Sequence, residues 1–207
     1  MGEYNELYHH GVKGQKWGVR HDRRYAGTRA HNVYKEARRH ERKVTRDLSS
    51  SVTKSGGEMH GLENRFKAES SIDRKLLLGK EVKDALRYTA ILSEDDFVTQ
   101  YNSVKFLMEQ KGYEETRCKN YFEEYRQGKV SHKSVQCNYK TPDGYEYELQ
   151  FHTKASQNAK DKKVPLYEEA RNPNTSETRK KELEKQMRDL ADKVPDPPGI
   201  EQIQEHK

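Results

Sequence analysis

The chain has 207 residues, enough for one catalytic domain with a tail, because a single core usually takes roughly 100–200 residues. Apolar residues make up 31% and charged residues 36%, so the core is thin, and the net charge of +6 fits either a polyanionic partner or a basic solvated surface. No segment approaches the ~20 consecutive apolar residues that cross a bilayer, which excludes membrane spans and predicts a soluble protein of a bacterial cytoplasm.

The N-terminal residues 1–27 show no period that could bury a face, and they predict a basic, extended tail. Within them, residues 8–20 (YHHGVKGQKWGVR) resemble a short element of proteins encoded among bacteriophage and prophage structural genes. That resemblance implies a phage or prophage origin and a virion as an alternative location.

The next hundred residues predict helices and a first strand. A basic helix is expected over 28–48, interrupted by the serines at 49–51, and a second helix over 62–78, closed by Gly79. Residues 86–92 are rich in strand formers, and the apolar stripe from Phe97 to Met108 predicts an amphipathic helix.

The second half of the chain predicts strands over 113–119, 132–140 and 144–153. The last two are expected to pair antiparallel, because Thr141-Pro-Asp-Gly144 suits a tight turn. A further helical region follows residue 155 and ends at Pro195. This order predicts an α/β (α+β) domain over 28–198, with a small mixed sheet of about four to five strands flanked by helices, and a C-terminal tail over 199–207.

Polar residues alternate with apolar ones along the last predicted strand. Glu146, Glu148, Gln150 and His152 share one face by period-2 alternation. Alternation alone more often marks a surface strand whose polar residues meet water. The preceding strand carries a matching polar set, His132, Ser134, Gln136 and Asn138, so the hairpin could present two polar ladders to one cleft.

A basic cluster precedes the first strand, and a second one ends a later strand. Lys67, Ser71 and Lys75 fall at four-residue steps, which would place them on one helical face. A basic stripe on a helix is usually exposed to solvent and has no function. Here, however, the carboxylate of Asp84 follows within ten residues of Lys75. The full set of candidate charges is Arg65, Lys67, Lys75, Asp84, Arg117, Lys119 and Glu148. Cations with two carboxylates for Mg²⁺ suit phosphoryl or pyrophosphoryl transfer, so the residues alone allow a nucleotide transferase.

Four segments together resemble the RelA/SpoT alarmone synthetases, including their small stand-alone, toxin-like members. Glu148-Leu-Gln-Phe-His-Thr153 is similar to the family signature Glu-Ile-Gln-Ile-Arg-Thr. The other matching segments, in the family's order, are Arg65-x-Lys67 with Lys75, Asp84-x-x-Arg87, and Arg117-x-Lys119-Asn-Tyr121. The resemblance spans residues 58–170 and implies a nucleotidyltransferase-like synthetase fold.

This resemblance implies a role for each candidate. Glu148 and Asp84 would be catalytic and hold Mg²⁺, with Glu148 helping to deprotonate a ribose 3′-hydroxyl that attacks the β-phosphorus of ATP. The phosphates of ATP would be bound by Arg65, Lys67, Lys75, Arg117 and Lys119. The acceptor would be bound by His132, Gln136, Gln150 and His152. The expected partners are ATP, a nucleotide or tRNA 3′-end acceptor, and a phage particle or an antitoxin or immunity protein.

The chain departs from the family pattern at the acceptor. His132-x-Ser134-x-Gln136 stands where the family has Tyr-x-Ser-x-His, and imidazole offers less stacking area than a phenol ring. An alternative is a virion-associated structural or nucleic-acid-binding protein with an inactive synthetase-like fold, and another is a plain RNA-binding module. Two cysteines, Cys118 and Cys137, are too few for a disulfide framework or a zinc site, and neither is expected to have a role.

Overall fold

The computed structural model describes residues 23–206, with side chains from Thr28 onward. The phage-like element at 8–20 lies outside this range. The helices are α1 (Arg23–Lys54), α2 (Glu69–Leu77), α3 (Phe97–Glu109), α4 (Tyr121–Arg126), α5 (Lys154–Arg171) and α6 (Glu177–Asp192). The strands are β1 (Glu58–His60), β2 (Arg87–Ile91), β3 (Glu114–Asn120), β4 (Val135–Lys140) and β5 (Glu146–His152). None of the helices in this range is long and apolar enough to cross a membrane.

The five strands form one mixed sheet in the order β1-β2-β5-β4-β3. β2 and β5 are parallel, and the other neighbours are antiparallel. The predicted hairpin is confirmed, because Val135 to Lys140 pair with Phe151 to Glu146 and the amide of Gly144 donates to the carbonyl of Thr141. The mixed sheet with flanking helices agrees with the predicted fold class.

One face of the sheet carries the apolar core. Tyr147, Leu149 and Phe151 of β5 are fully buried there. Helices α1 and α3 cover this face, since the Tyr88 hydroxyl lies 2.9 Å from the Thr45 hydroxyl of α1, and the Tyr101 ring of α3 meets the Phe151 ring edge-on at 5.1 Å. The opposite face is polar and is partly covered by α5.

Helix α1 corrects the prediction that it would stop at the serines of 49–51. It continues to Lys54, because Leu48 and Val52 are fully buried and hold the last two turns against the core. Ser51 is accommodated by donating its hydroxyl to the carbonyl of Asp47 one turn earlier, 2.9 Å away. The helix also begins at Arg23, five residues before the predicted start.

The predicted helix over 62–78 was wrong in its first half. Leu62–Asn64 forms a single 3₁₀ turn capped by Arg65, and Phe66 forms an isolated antiparallel bridge with Leu86. The backbone of this segment pairs with the approach to β2, since Lys67 N–H donates to Ala85 O and Arg87 N–H donates to Arg65 O, both at 2.9 Å. Lys67 therefore lies outside α2 and shares no helical face with Lys75. Gly79, at φ 67°, follows the helix as predicted.

The last residues pack on the domain, in contrast to the predicted C-terminal tail. Ile200 is fully buried and Ile203 nearly so. His206 pairs with Cys118 by two backbone hydrogen bonds, and the Asn120 side chain donates to the carbonyl of Ile200 at 2.8 Å. The segment therefore covers the edge of β3, which would otherwise be left unpaired.

Candidate active site

The strand register lines up polar side chains in two rows across the outer face of the sheet. Residues that pair across neighbouring strands point to the same side. The first row runs Arg87, Glu148, Asn138, Arg117 from β2 to β3. The second row runs His60, Thr89, Gln150, Gln136, Lys119 from β1 to β3. The structure thus places the predicted catalytic, phosphate-binding and acceptor residues of these strands on one surface.

Glu148 lies between two arginines in the first row. Arg87 is one strand away and Arg117 is two strands away, which corresponds to roughly 5 and 10 Å at the usual spacing of strands. Neither arginine makes an ion pair with any carboxylate of the described side chains, and both are exposed. These two cations are therefore available to an anionic ligand beside Glu148.

A chain of hydrogen bonds connects Glu148 to helix α5. The amide of Gln150 donates to the carboxylate of Glu148, and the ammonium group of Lys160 donates to the carbonyl oxygen of the same amide at 2.6 Å. Burial is the main cause of a lowered pKa at Lys160, and the nearby Arg87 lowers it further. Gln150 is held in one orientation, with its amide group facing the carboxylate.

The end of β5 is fixed by a capping box that begins α5. The Thr153 hydroxyl accepts from the amide of Ser156, and the Ser156 hydroxyl accepts from the amide of Thr153. Ser156 also lies 2.9 Å from Nδ1 of His152. Burial lowers the pKa of His152 well below its usual value, so its imidazole is neutral. Its Nε2 is buried and has no hydrogen-bond partner among the described residues.

A cleft of about 1330 Å³ lies between the polar face, the loop over 129–133, and helices α5 and α6. All four predicted acceptor residues line it: His132, Gln136, Gln150 and His152. The described basic residues of its wall are Arg87, Lys129, Lys133, Lys160, Lys163, Lys181, Lys185 and Arg188, against three acidic ones, Asp161, Glu168 and Glu184. The excess of cations suits a phosphorylated ligand.

His132, in the wall of this cleft, forms an aromatic pair with Tyr121. Its ring lies 4.4 Å from the ring of Tyr121, tilted by 43°. Burial, with a contribution from the charge of Lys163, lowers the pKa of His132 to about 4. The imidazole is therefore neutral at pH 7, which favours stacking over charge pairing.

Asp84 accepts hydrogen bonds from two lysines, Lys67 just before α2 and Lys75 within it. Lys67 donates to one carboxylate oxygen at 2.6 Å and Lys75 to the other at 2.9 Å. Burial alone would raise the pKa of Asp84, but the two ammonium groups outweigh it and hold the pKa below its usual range. Asp84, Lys67 and Lys75, here called the lysine clamp, carry a net charge of +1.

The remaining predicted cations are held apart from the clamp. Arg65 binds Glu41 of α1 at 2.6 Å, so its charge is directed to the helix. Lys119 pairs with Glu124 at 2.7 Å and lies 5.4 Å from the centre of the Tyr121 ring. An incoming phosphate would therefore compete with Glu41 for Arg65 and with Glu124 for Lys119, whereas Arg117 needs no such exchange.

The donor set fits Mg²⁺ at the level of residue chemistry. Magnesium takes oxygen ligands, commonly one or two carboxylates together with substrate phosphates and water. Asp84 is ionised, and Glu148 uses one oxygen for Gln150, which leaves its second oxygen available. Asp84 can bind a metal ion only when a triphosphate draws Lys67 and Lys75 away from its carboxylate oxygens.

Two lysines of α5 belong to the cleft although the sequence did not select them. Lys160 binds Gln150, and Lys163 donates to the carbonyl of Ser131. Burial lowers the pKa of Lys163 to about 8. Their three-residue spacing was the available signal. Helix α5 lacks an apolar stripe, so the sequence could not show which of its faces turns inward.

Solved structures resemble this fold, although neither a protein-family model nor a curated protein sequence matches the chain. The type VI effector Tas1, crystallised with its immunity protein, has a TM-score of 0.53 and 15% identity, over 80% of this chain and 95% of that one. The small alarmone synthetase 2 of Bacillus subtilis has a TM-score of 0.52 and 19% identity, over 78% and 88%. The small alarmone synthetase 1 of the same organism, bound to its product pppGpp, has a TM-score of 0.52 and 16% identity, over 80% of this chain and 91% of that one. The chain has the fold of these synthetases.

Proposed function

We propose that the chain is an ATP-dependent pyrophosphokinase that transfers the β,γ-pyrophosphate of ATP to a ribose 3′-hydroxyl. The observation that carries this proposal is the first polar row, in which Glu148 stands between Arg87 and Arg117, two cations without an ion pair among the described side chains, and Arg87 lines a basic cleft. Pyrophosphoryl transfer depends mainly on positioning and charge stabilisation, and this row supplies a carboxylate with cations on both sides.

The triphosphate binds along the cations of the outer face. Arg117 and Lys119 of β3 and the lysine clamp approach it from separate elements, and Arg65 joins when it leaves Glu41. Lys67 and Lys75 exchange the carboxylate of Asp84 for phosphate oxygens, which frees Asp84. Asp84 and Glu148 would hold Mg²⁺, which would neutralise charge on the phosphates.

The acceptor binds in the cleft with its base near His132 and Tyr121. Gln136, Gln150 and His152 supply polar groups along the wall, and Lys160 holds Gln150 in place. Glu148 accepts the proton of the 3′-hydroxyl as the hydroxyl oxygen bonds to the β-phosphorus. The bond from the β-phosphorus to the oxygen bridging it to the α-phosphate breaks, and AMP leaves with that oxygen.

A toxin role with an immunity partner is the biological setting we propose. The effector Tas1, whose fold is similar, was crystallised with its immunity protein. The described residues of this chain contain the synthetase fold alone, with no second catalytic unit that would reverse the reaction. Unopposed pyrophosphate transfer would consume ATP. A cell that makes this enzyme would therefore need a protein that blocks the cleft.

The acceptor assay tests this function. The purified chain is incubated with γ-labelled ATP and Mg²⁺ and, in parallel, with GDP, GTP, ATP or bulk tRNA as acceptor. We expect label in one acceptor class and none when its 3′-hydroxyl is replaced by hydrogen. Absence of label in all four, from a protein whose circular dichroism shows it folded, would favour the inactive scaffold instead.

A further inference from the structure

The inner face of the β3/β4 pair holds a compact cluster of sulfur and oxygen atoms that the proposed reaction does not use. Cys118 and Cys137 are fully buried, Tyr101 is 3% exposed, and the side chain of Glu115 is 1% exposed. A carboxylate buried to this extent is uncommon. It lies beside the two cysteines of the chain, on the side of the sheet away from the cleft.

A β-bulge brings Glu115 into this cluster. Glu115 pairs with Tyr139, and Arg117 pairs with Asn138, so one extra residue is inserted in β3 between them. Regular alternation would give Glu115 and Arg117 the same face. The bulge turns the carboxylate inward while Arg117 stays outward in the polar row. Bulges that redirect a side chain are typical of functional positions.

The donor atoms of the cluster are close enough together to surround one metal ion, since the ligand atoms of Glu115, Cys118 and Cys137 all lie within 4.8 Å of one another. The two Sγ atoms are 3.3 Å apart, and the Tyr101 Oη lies 3.5 and 3.9 Å from the Sγ atoms of Cys118 and Cys137. The same Oη is 3.0 Å from each carboxylate oxygen of Glu115. A tetrahedral Zn²⁺ with bonds of about 2.3 Å to sulfur and about 2.0–2.2 Å to oxygen needs ligand atoms on the order of 3.3–3.8 Å apart, so the Tyr101 and Glu115 oxygens would move apart by about 0.3 Å as the ion enters.

The charge of the cluster also suits a divalent ion. Lys105 pairs with Glu115 at 2.9 Å, so the buried group is neutral while both cysteines are thiols. When Zn²⁺ enters, the two thiols become thiolates and their two protons leave to solvent. The two positive charges of the ion replace those of the two lost protons, so the net charge of the buried group remains zero. Tyr101 keeps its proton and donates it to the second carboxylate oxygen.

We propose that Cys118, Cys137, Glu115 and Tyr101 bind one structural Zn²⁺, which enters as the chain folds. This assigns a role to both cysteines of the chain. The ion would join β3 to β4 directly beneath the polar rows, because Arg117 and Lys119 flank Cys118 on the outer face. It would fix the spacing of the phosphate-binding side chains without touching the substrate.

Cobalt provides the most specific test, because thiolate ligation of Co²⁺ gives a charge-transfer absorption in the near ultraviolet. The full chain is produced in zinc-depleted medium with Co²⁺ and purified with a non-thiol reductant. We expect one equivalent of metal with this absorption and the visible bands of tetrahedral Co²⁺, all lost on addition of excess Zn²⁺. Because the chain has two cysteines, thiolate ligation can come only from this cluster.

Two tyrosines give a matched pair of variants. Tyr101→Phe and Tyr139→Phe each remove one buried hydroxyl that donates to Glu115, but only Tyr101 also contacts both sulfur atoms. Tyr101→Phe should change the cobalt spectrum and weaken metal retention at least tenfold, whereas Tyr139→Phe should keep both. Wild-type protein that folds without sulfur-ligated metal, or that shows a Cys118–Cys137 disulfide after mild oxidation and no metal, would overturn the proposal.

Discussion

Glu148 and Leu149 are neighbours on β5, yet they belong to two faces of the sheet with opposite properties. Leu149 points into the core, where it is fully buried among the rings of the inner face. Glu148 points outward, into a row whose two arginines lack ion-pair partners in the described part of the chain. The inner face is packed and closed, whereas the outer face holds charges that its own residues do not neutralise.

This difference indicates how the chain divides stability from function. The excess of cations on the outer face costs folding free energy, because like charges repel one another and gain nothing from burial. A packed face repays such a cost through the apolar area that it removes from water. Changes on the inner face should therefore act on the free energy of unfolding, and changes on the outer face should act on transfer.

The largest expected effect is the loss of transfer in Glu148→Gln. The substitution keeps the shape of the side chain and removes the charge that accepts the proton, so kcat should fall by roughly 10²–10⁴-fold. Thermal unfolding should stay close to wild type. Glu114→Gln, an exposed glutamate at the start of β3, is the matched control and should keep full activity. Near wild-type transfer in folded Glu148→Gln would place the chemistry elsewhere.

Leu149→Ala should produce the complementary result one residue away. Truncating a buried leucine leaves a cavity, which costs about 2–5 kcal/mol of unfolding free energy. Urea denaturation measures this loss, and kcat per folded molecule should be unchanged at a temperature where the variant is native. A variant that keeps its stability but loses kcat would show that the two faces are not separate in function.

Variants of His132 separate acceptor binding from ATP binding on the outer face. If its ring stacks on the acceptor base, His132→Ala should raise the acceptor KM by an amount worth roughly 1–3 kcal/mol and leave the KM for ATP unchanged. His132→Tyr should improve the use of a free guanine nucleotide. If a tRNA end is held mainly through its phosphates, KM should instead rise steeply with salt and respond little to His132.

The smallest predicted effect is a pH dependence of stability caused by the same histidine. Its pKa is about 4 in the folded chain, whereas an unfolded histidine titrates near 6.5. Below pH 6.5 the unfolded chain binds more protons, so stability falls as the pH drops from about 6.5 toward 4. Urea midpoints at about pH 7 and about pH 5.5 should differ less in His132→Gln than in wild type. An equal difference in both proteins would contradict the neutral, buried ring.

The sequence predicted the β4/β5 hairpin and its polar face correctly, because a period of two and a Pro-Asp-Gly turn are local signals. It failed at Leu62–Lys67, where the spacing of apolar residues suited a helix but a 3₁₀ turn and backbone pairing of Arg65 and Lys67 with residues 85–87 replaced it. It also missed Lys160 and the inward turn of Glu115. Both depend on contacts between distant segments, and a bulge leaves no signal in a local pattern.

The products of ATP test the central claim most directly. Wild-type protein is mixed with ATP, Mg²⁺ and the acceptor class that takes up label, and the adenine nucleotides are separated over time. Pyrophosphate transfer predicts AMP in a one-to-one ratio with modified acceptor, with both products lost together in Glu148→Gln and retained in Glu114→Gln. Formation of ADP, or of AMP with free pyrophosphate and unmodified acceptor, would contradict the reaction proposed for the outer face.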